Sequence, residues 1–594
     1  MLNQVAGNNR GDYILSEKGR ILKTVDMSGE QVEIYMTKMM TPCTPEEYQA
    51  MSVDEREYAK IQPPLNQRTY MPEDGIICMQ DVPVKMRDGV TIYVDIYKPE
   101  SEGKYPLIIS WSFYGKRPFD GQSEWQIMGV PPQTVSNMSK FESPDPGYWC
   151  RRGYAVANVD PRGIGHSDGD FVQFGTQDGK DGYDFIEWAA EQSWCNGRTA
   201  LSGNSCVAMT QWRIASQQPP HLACMAPWES TTDMYRESLC EGGIPAHSFV
   251  RLVMKEACGP NYMDSTPDNF EKYPFINCAY WKDKDPMWDK VTIPVYQTAC
   301  WNHFHLRGSI NAFRKCKSRK KWLRVHRNFE WPDAYSNENL EELDKFFSRY
   351  LKLERNGWEL TPKIRIEVQD TDEFNYMTNR PEESFPLKRT EYKKLYLDAN
   401  DMSMKDKPVN NEASVSYDSE TGEVTFDYRF DEDTELTGYM KLRLYVAAES
   451  YNDMDLFINI QKLSTDGKFL PITLFGEPHP GVWGKMRVSR RKLDEKLSTD
   501  YCPVQAHNCD EKLEPGQIVP VDIEIAPTSR FWHKGQQIRV QVAGRYIRND
   551  WFEPLMWDTD NKGNHIIYTG GGHESCLQIP VIPPRFQDGD IIIR

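Results

Sequence analysis

The feature that most constrains this chain is a change of periodicity near residue 365. From about residue 76 to 364, short apolar strands alternate with amphipathic segments; beyond that point helical periodicity fades and short alternating strands recur between turn signals. Strand–helix alternation predicts a doubly wound, largely parallel sheet, because parallel neighbours need a crossover element and that element buries its apolar stripe against the sheet. The strands are TIYVDIY (91–97), YPLIISWS (105–112), YAVANVD (154–160), TALSG (199–203), HLACMAPW (221–228), IPVYQTACW (293–301) and KWLRVH (321–326). Segment 181–194 places Phe185, Trp188 and Ala189 on one helix face. The strand-only tail, with GEVTFDYRF, YMKLRLYVAA, MDLFINIQKL, VPVDIEIAP and QIRVQVAGRY, predicts a β-sandwich. The expected organisation is therefore an N-terminal extension (1–75), an α/β unit (76–364) and an all-β unit (365–594), in line with 594 residues exceeding one ordinary core. Between about 229 and 290 the alternation lapses into a Gly-, Pro- and aromatic-bearing stretch, expected to form a helical cap.

The run TALSGNSCVAMTQW (199–212) carries the chemistry. A short strand enters Gly203-Asn204-Ser205 and continues into a helix of small and apolar residues. A serine on such a turn is exposed to attack a substrate, provided its neighbours are small where the backbone doubles back. Gly203 meets that demand before the serine; after it, Val207 and Ala208 meet it only loosely. Read alone, the Gly-Asn-Ser turn is equally compatible with a plain loop. Cys206 lies one place off the turn apex, which favours Ser205 over a thiol nucleophile.

Charge and cysteine usage narrow the class. A formal charge of −17 excludes an electrostatic grip on nucleic acid or on an anionic membrane surface. No stretch reaches the roughly 18 apolar residues of a spanning helix, and the polar N-terminus lacks the apolar core of a secretory signal. The 14 cysteines form no C-x-x-C pair, so reduced thiols in the cytoplasm are expected, and neither a metal nor an organic cofactor is.

Several motifs in order resemble the CocE/NonD and X-Pro dipeptidyl-peptidase group of hydrolases. The serine turn is followed by Gln211-Trp212 as in that family. VPVKMRDGVTIYVDIYKP (82–99) is similar to its opening hairpin, SWSFYGK (110–116) to the segment bearing its oxyanion tyrosine, and VDPRGIGHSDG (159–169) to its D-x-R-G loop. APWESTTDMYR (226–236), ELTGYMKLRLYVAA (435–448) and PTSRFWHKGQQIRVQVAG (527–544) follow in family order. The resemblance implies an α/β-hydrolase sheet with a helical cap insertion and a C-terminal jelly-roll sandwich. It makes Ser205 the nucleophile, with the Tyr114 hydroxyl and the Cys206 N–H as oxyanion donors, and implies a small-molecule ester or amide as substrate. Self-association, such as a homo-oligomer, is left open.

Two family positions are changed. The W-x-D turn that holds the family's acid reads Cys300-Trp301-Asn302-His303-Phe304-His305, without a carboxylate. The Trp-Ser-His turn of the family's base reads VHRNFEWPDAY (325–335), with Glu330 near the histidine position. His326, at a strand end, is the expected base, with His303 and His305 as alternatives; Glu229 is the expected acid, with Glu330 and Asp333 competing. Asp160 and Arg162 are expected to pair with each other structurally, and Glu237 with Glu241 could be a cap pair that holds the ammonium group of a peptide substrate, although charged cap residues are usually solvated. Against hydrolysis stand acyl transfer or cyclisation on a specialised metabolite through the same serine, and a binding protein on a decayed scaffold; the sandwich could also bind carbohydrate.

Overall fold

A computed structural model describes residues 13–15, 20–56, 59–117, 129–372, 374–474, 477–547 and 557–584. Most of the polar N-terminus thus lies outside the described residues. The apolar runs of the first half become nine strands: β1 (Ile76–Lys85), β2 (Thr91–Pro99), β3 (Tyr105–Trp111), β4 (Ala155–Asp160), β5 (Cys195–Asn204), β6 (Leu222–Trp228), β7 (Val295–Cys300), β8 (Lys321–His326) and β9 (Ile364–Gln369). Their order across the sheet is β1-β2-β4-β3-β5-β6-β7-β8-β9, antiparallel at β1–β2 and β2–β4 and parallel from β4 onward.

Alternation within each strand separates two cores. On β3, Leu107, Ile109 and Trp111 face one layer while Ile108 faces the other; on β4, Ala155, Ala157 and Val159 oppose Val156 in the same way. The first layer is closed by helices Thr176–Ala190 and Ser205–Ser216 through Phe185, Ile186, Trp212 and Ile214. The second is closed by Asn337–Leu351 and the short helix Pro146–Cys150, whose Phe346, Phe347 and Trp149 lie against β strands from below. Both faces of a parallel sheet must be covered this way, since neither can be left to water. β9 continues the sheet by pairing with β8, although the periodicity of the sequence already changes within it.

The stretch after β6 is mixed rather than purely helical. Helices His247–Lys255 and Thr266–Lys272 flank a strand, Tyr262–Asp264, that pairs antiparallel with Glu30–Lys38 of the N-terminal segment. The N-terminal strands therefore complete the cap as a four-stranded sheet. The expected pairing of Asp160 with Arg162 is not formed: Asp160 bonds Lys116 at 2.5 Å, and Arg162 reaches Asp181 and Asp88, each at 2.7 Å. Gly165, at φ +61°, is required there because a Cβ would sit 2.2 Å from Asp160 Oδ2.

Beyond β9 the chain is all β among the described residues apart from one short turn of helix, Val488–Arg490. A long strand, Thr434–Ala448, pairs with Val519–Trp532 on one side and with Asn564–Thr569 and Cys576–Ile582 on the other. Glu423–Arg429, Gln537–Ala543, Asp455–Leu463 and Val482–Arg487 form a second antiparallel run. Leu442, Leu444, Ile458, Ile460, Val540 and Val542 meet in one core. This part also shares a core with the sheet: Ala299, Trp301, Leu306 and Ile310 pack with Tyr439, Trp483 and Ala526. Arg307 spans the junction, bonding Glu241 of the cap at 2.7 Å and Glu524 of the all-β part. Among the described residues no helix is long and apolar enough to cross a membrane.

Candidate active site

β5 ends at Asn204 and the next helix begins at Ser205 without an intervening loop. Ser205 is held at φ +51°, a left-handed conformation that costs a residue with a Cβ on the order of 1–3 kcal/mol unless its surroundings enforce it. Two backbone bonds do so: Ser205 N–H to the Glu229 carbonyl and Asn204 N–H to the Glu142 carbonyl, both 3.0 Å. Gly203 explains why Val207 is tolerated. A Cβ at Gly203 would fall 2.4 Å from Val207 Cγ1, so the missing glycine after the serine is compensated by the glycine before it. Gln211 Nε2 donates to the Gly203 and Ala226 carbonyls, each at 3.4 Å, and Trp212 Nε1 donates to Ser230 Oγ at 3.0 Å. The Gln-Trp pair thus ties the serine helix to the ends of β5 and β6.

The imidazole beside the serine belongs to His305, in the turn between β7 and helix Leu306–Lys315. Its Nε2 lies 3.1 Å from Ser205 Oγ, and its Nδ1 lies 2.9 Å from Thr231 Oγ1, which also accepts a bond from Ser238 Oγ. Burial, with His303 adding to it, holds the His305 pKa well below that of an ordinary histidine. The ring is therefore neutral and able to take a proton at Nε2. His303 Nδ1 accepts the His305 backbone N–H at 3.0 Å, which leaves its proton on Nε2, 3.1 Å from Glu330 Oε1.

The expected base, His326, is placed differently. Its Nδ1 faces the Asn328 carbonyl at 3.0 Å and its Nε2 faces Glu229 Oε1 at 2.9 Å and Asp333 Oδ2 at 3.4 Å. Burial alone would lower its pKa, but Asp333 and Glu229 outweigh burial and raise it. The neighbouring carboxylates favour the protonated ring, and both of its nitrogens are turned to groups other than Ser205. The expected His326–Glu229 pair is therefore present, while the contact to Ser205 is made by His305. Asp333 is also bound to Arg324, and Glu229 Oε2 accepts the Cys300 N–H at 2.9 Å. None of the three expected carboxylates bonds His305; the hydroxyl of Thr231 does.

Tyr114 lies against Phe113 and Phe141, with ring centroids at 4.7 and 5.0 Å. Burial, reinforced by Cys206 and Glu142, keeps its phenol well above the usual range, so it stays a donor. Burial also pushes the Cys206 thiol up to about 12, which leaves it a poor nucleophile at neutral pH. Glu237 and Glu241 are not available to a substrate ammonium. Glu237 accepts the Thr232 and Asp233 N–H groups at 2.8 and 2.9 Å and Asn311 Nδ2 at 2.8 Å, while Glu241 is bound by Arg307, Lys485 and Trp483. Two polar residues of the site gave no signal in the sequence: Thr231, beside His305 in a run of hydroxyl residues, and Glu142, near Ser205 on a connection with no recognisable motif.

Residues 88–273 match the X-Pro dipeptidyl-peptidase (S15) family, and residues 356–578 match the X-Pro dipeptidyl-peptidase C-terminal non-catalytic domain. A solved CocE/NonD family hydrolase from Staphylococcus aureus is 36% identical, with a TM-score of 0.80, over 86% of this chain and 94% of that one. The cocaine esterase of a Rhodococcus species is 25% identical over 53% of this chain, and a putative serine esterase of Mycobacterium bovis is 31% identical over 28%. The matched stretches span 62% and 27% of those two relatives, under two thirds of either.

Proposed function

This chain belongs to the CocE/NonD family of hydrolases, and on that premise we propose that it cleaves an ester of a small molecule through an acyl-enzyme on Ser205. Ser205 Oγ attacks the acyl carbon as its proton passes to His305 Nε2. The carbonyl π pair moves onto oxygen, where the Tyr114 hydroxyl and the Cys206 N–H receive it; donors of this kind contribute about 3–4 kcal/mol each where water is excluded. The bond to the leaving alcohol breaks as that oxygen takes the proton from His305. Water, activated by the same ring, then releases the acid.

The observation that carries this reading is the 3.1 Å approach of a neutral His305 to a serine held at φ +51°. It also weighs against a decayed scaffold, which has no need of a strained serine bonded to an imidazole. The Rhodococcus and Mycobacterium relatives, named as esterases, favour an ester over an amide. We read the C-terminal strands as a jelly roll that supports the site, because it shares a core with the turn carrying His305.

Hydrolysis of p-nitrophenyl acetate and labelling by a fluorophosphonate test the reading. Ser205→Ala is expected to lower kcat by on the order of a million-fold and to abolish labelling. Retention of activity within about tenfold would refute the assignment.

A further inference from the structure

One polar side chain at the serine has no part in the steps above. Glu142 is 2% exposed, and its Oε1 accepts the Trp331 Nε1–H at 3.2 Å. Its Oε2 is buried near the Tyr114 and Ser205 hydroxyls, yet forms no hydrogen bond of good geometry with either or with any other described residue. An unsatisfied buried oxygen costs about 1–3 kcal/mol, so its retention beside a nucleophile calls for a partner that arrives with the substrate. Glu142 is fixed to the serine turn by its own backbone. Its carbonyl receives the Asn204 N–H at 3.0 Å and lies 2.7 Å from where a Cβ on Gly203 would stand; its φ is +57°.

The groups acting on the carboxyl are Glu330, Tyr114, Ser205, Cys206 and Tyr335. Burial first, and then the charge of Glu330, push its pKa well above the carboxylate range, against smaller opposing contributions from Trp331, Tyr114 and Ser205. A neutral carboxyl has one O–H. Oε1 is occupied as an acceptor, which leaves that hydrogen on Oε2; the Ser205 and Tyr114 hydroxyls are neighbours of this carboxyl.

We propose that Glu142, in its protonated form, is a catalytic residue: a third donor to the substrate carbonyl oxygen, beside Tyr114 and the Cys206 N–H. The assignment rests on the ester-hydrolase reading of Ser205. It differs from a substrate-charge role because the group acts by its hydrogen and carries no charge. When the carbonyl π pair moves to oxygen, the bond from Oε2 shortens without transferring the proton, and it lengthens again when the oxyanion collapses.

The test compares the full-length wild type with Glu142→Gln and Glu142→Ala on p-nitrophenyl acetate across pH, with fluorophosphonate labelling of Ser205 run in parallel. An amide keeps an N–H at the inner position and an oxygen for Trp331, so Glu142→Gln should retain kcat within about tenfold, whereas Glu142→Ala should lose about a hundredfold or more with KM nearly unchanged. The wild type should lose kcat at alkaline pH as Glu142 ionises, and Glu142→Gln should not. The proposal is overturned if Glu142→Gln falls as far as Glu142→Ala, if Glu142→Ala stays within about tenfold of wild type, or if the alkaline loss persists in Glu142→Gln. Should Glu142→Ala fail to fold by thermal melting, the pH profile of Glu142→Gln alone decides. If wild-type Ser205 does not label, the ester-hydrolase reading falls first and this assignment with it.

Discussion

Replacing His305 and His326 separately by alanine should split activity from stability. In His305→Ala the ring 3.1 Å from Ser205 Oγ is lost, and with it the acceptor for the serine proton. The serine would have to attack as a neutral hydroxyl, and loss of the base in a serine hydrolase costs on the order of a million-fold in kcat. The void is lined by a threonine hydroxyl rather than a stranded charge, so the melting temperature should move little. His326→Ala does the opposite. It removes the ring lying between Glu229 and Asp333 and leaves Glu229 buried, with the Cys300 N–H as its remaining hydrogen bond among the described residues. Breaking a buried ion pair from one side costs about 3–5 kcal/mol, while folded molecules should keep their rate within about tenfold. The stability has a pH signature. Because the folded pKa of His326 is raised, its contribution is fully present below the unfolded value near 6.5 and is lost as pH rises through the folded value. Initial rates on p-nitrophenyl acetate and thermal melts between pH 6 and 9 measure both effects. A folded, inactive His326→Ala together with an active His305→Ala would show the reasoning to be wrong.

Two other outcomes follow from the same geometry. Thr231→Val removes the hydroxyl 2.9 Å from His305 Nδ1 and should lower kcat by about 5- to 100-fold, the equivalent of one buried neutral hydrogen bond lost with its partner unsatisfied; an unchanged kcat would exclude Thr231 as the group that orients the ring. Arg307→Ala strands Glu524 at the junction, while Glu241 keeps Lys485 and Trp483, and should cost about 3–5 kcal/mol in thermal or urea unfolding, against less than about 1 kcal/mol if the bridge behaved as a surface pair.

Much of the scaffold is legible because it rests on period and order. TIYVDIY, YPLIISWS and KWLRVH become β2, β3 and β8 within two residues, since an apolar run buried on both faces has no alternative conformation to compete with. The serine turn is legible for a similar reason: only a glycine such as Gly203 admits a side chain at Val207 so close to its Cα. The histidines are harder. His303, His305 and His326 all stand at the carboxyl edge of neighbouring strands, so the sequence places them in one region without ranking them. What ranks them is the partner facing each second nitrogen: Thr231 comes from the connection after β6, and Asn328 and Glu330 both come from the connection after β8. Glu142 was illegible because a single carboxyl on an irregular connection has no periodicity to betray it. The Asp160–Arg162 expectation failed because adjacency along a loop says little about which buried partner a charge will meet.

The core shared by Trp301, Leu306 and Ile310 with Tyr439, Trp483 and Ala526 bears on when a newly made chain can become active. Synthesis delivers the sheet first, and amino-terminal parts of large proteins fold as they emerge from the ribosome. The turn holding His305 is flanked on both sides by residues whose packing partners lie more than a hundred positions later. Until that length of chain has been translated and docked, Ser205 stands on its turn without a seated base. On the proposed reading, hydrolysis is then the last property this protein acquires, and a nascent chain stalled before Tyr439 would carry Ser205 without the packing that seats its partner ring.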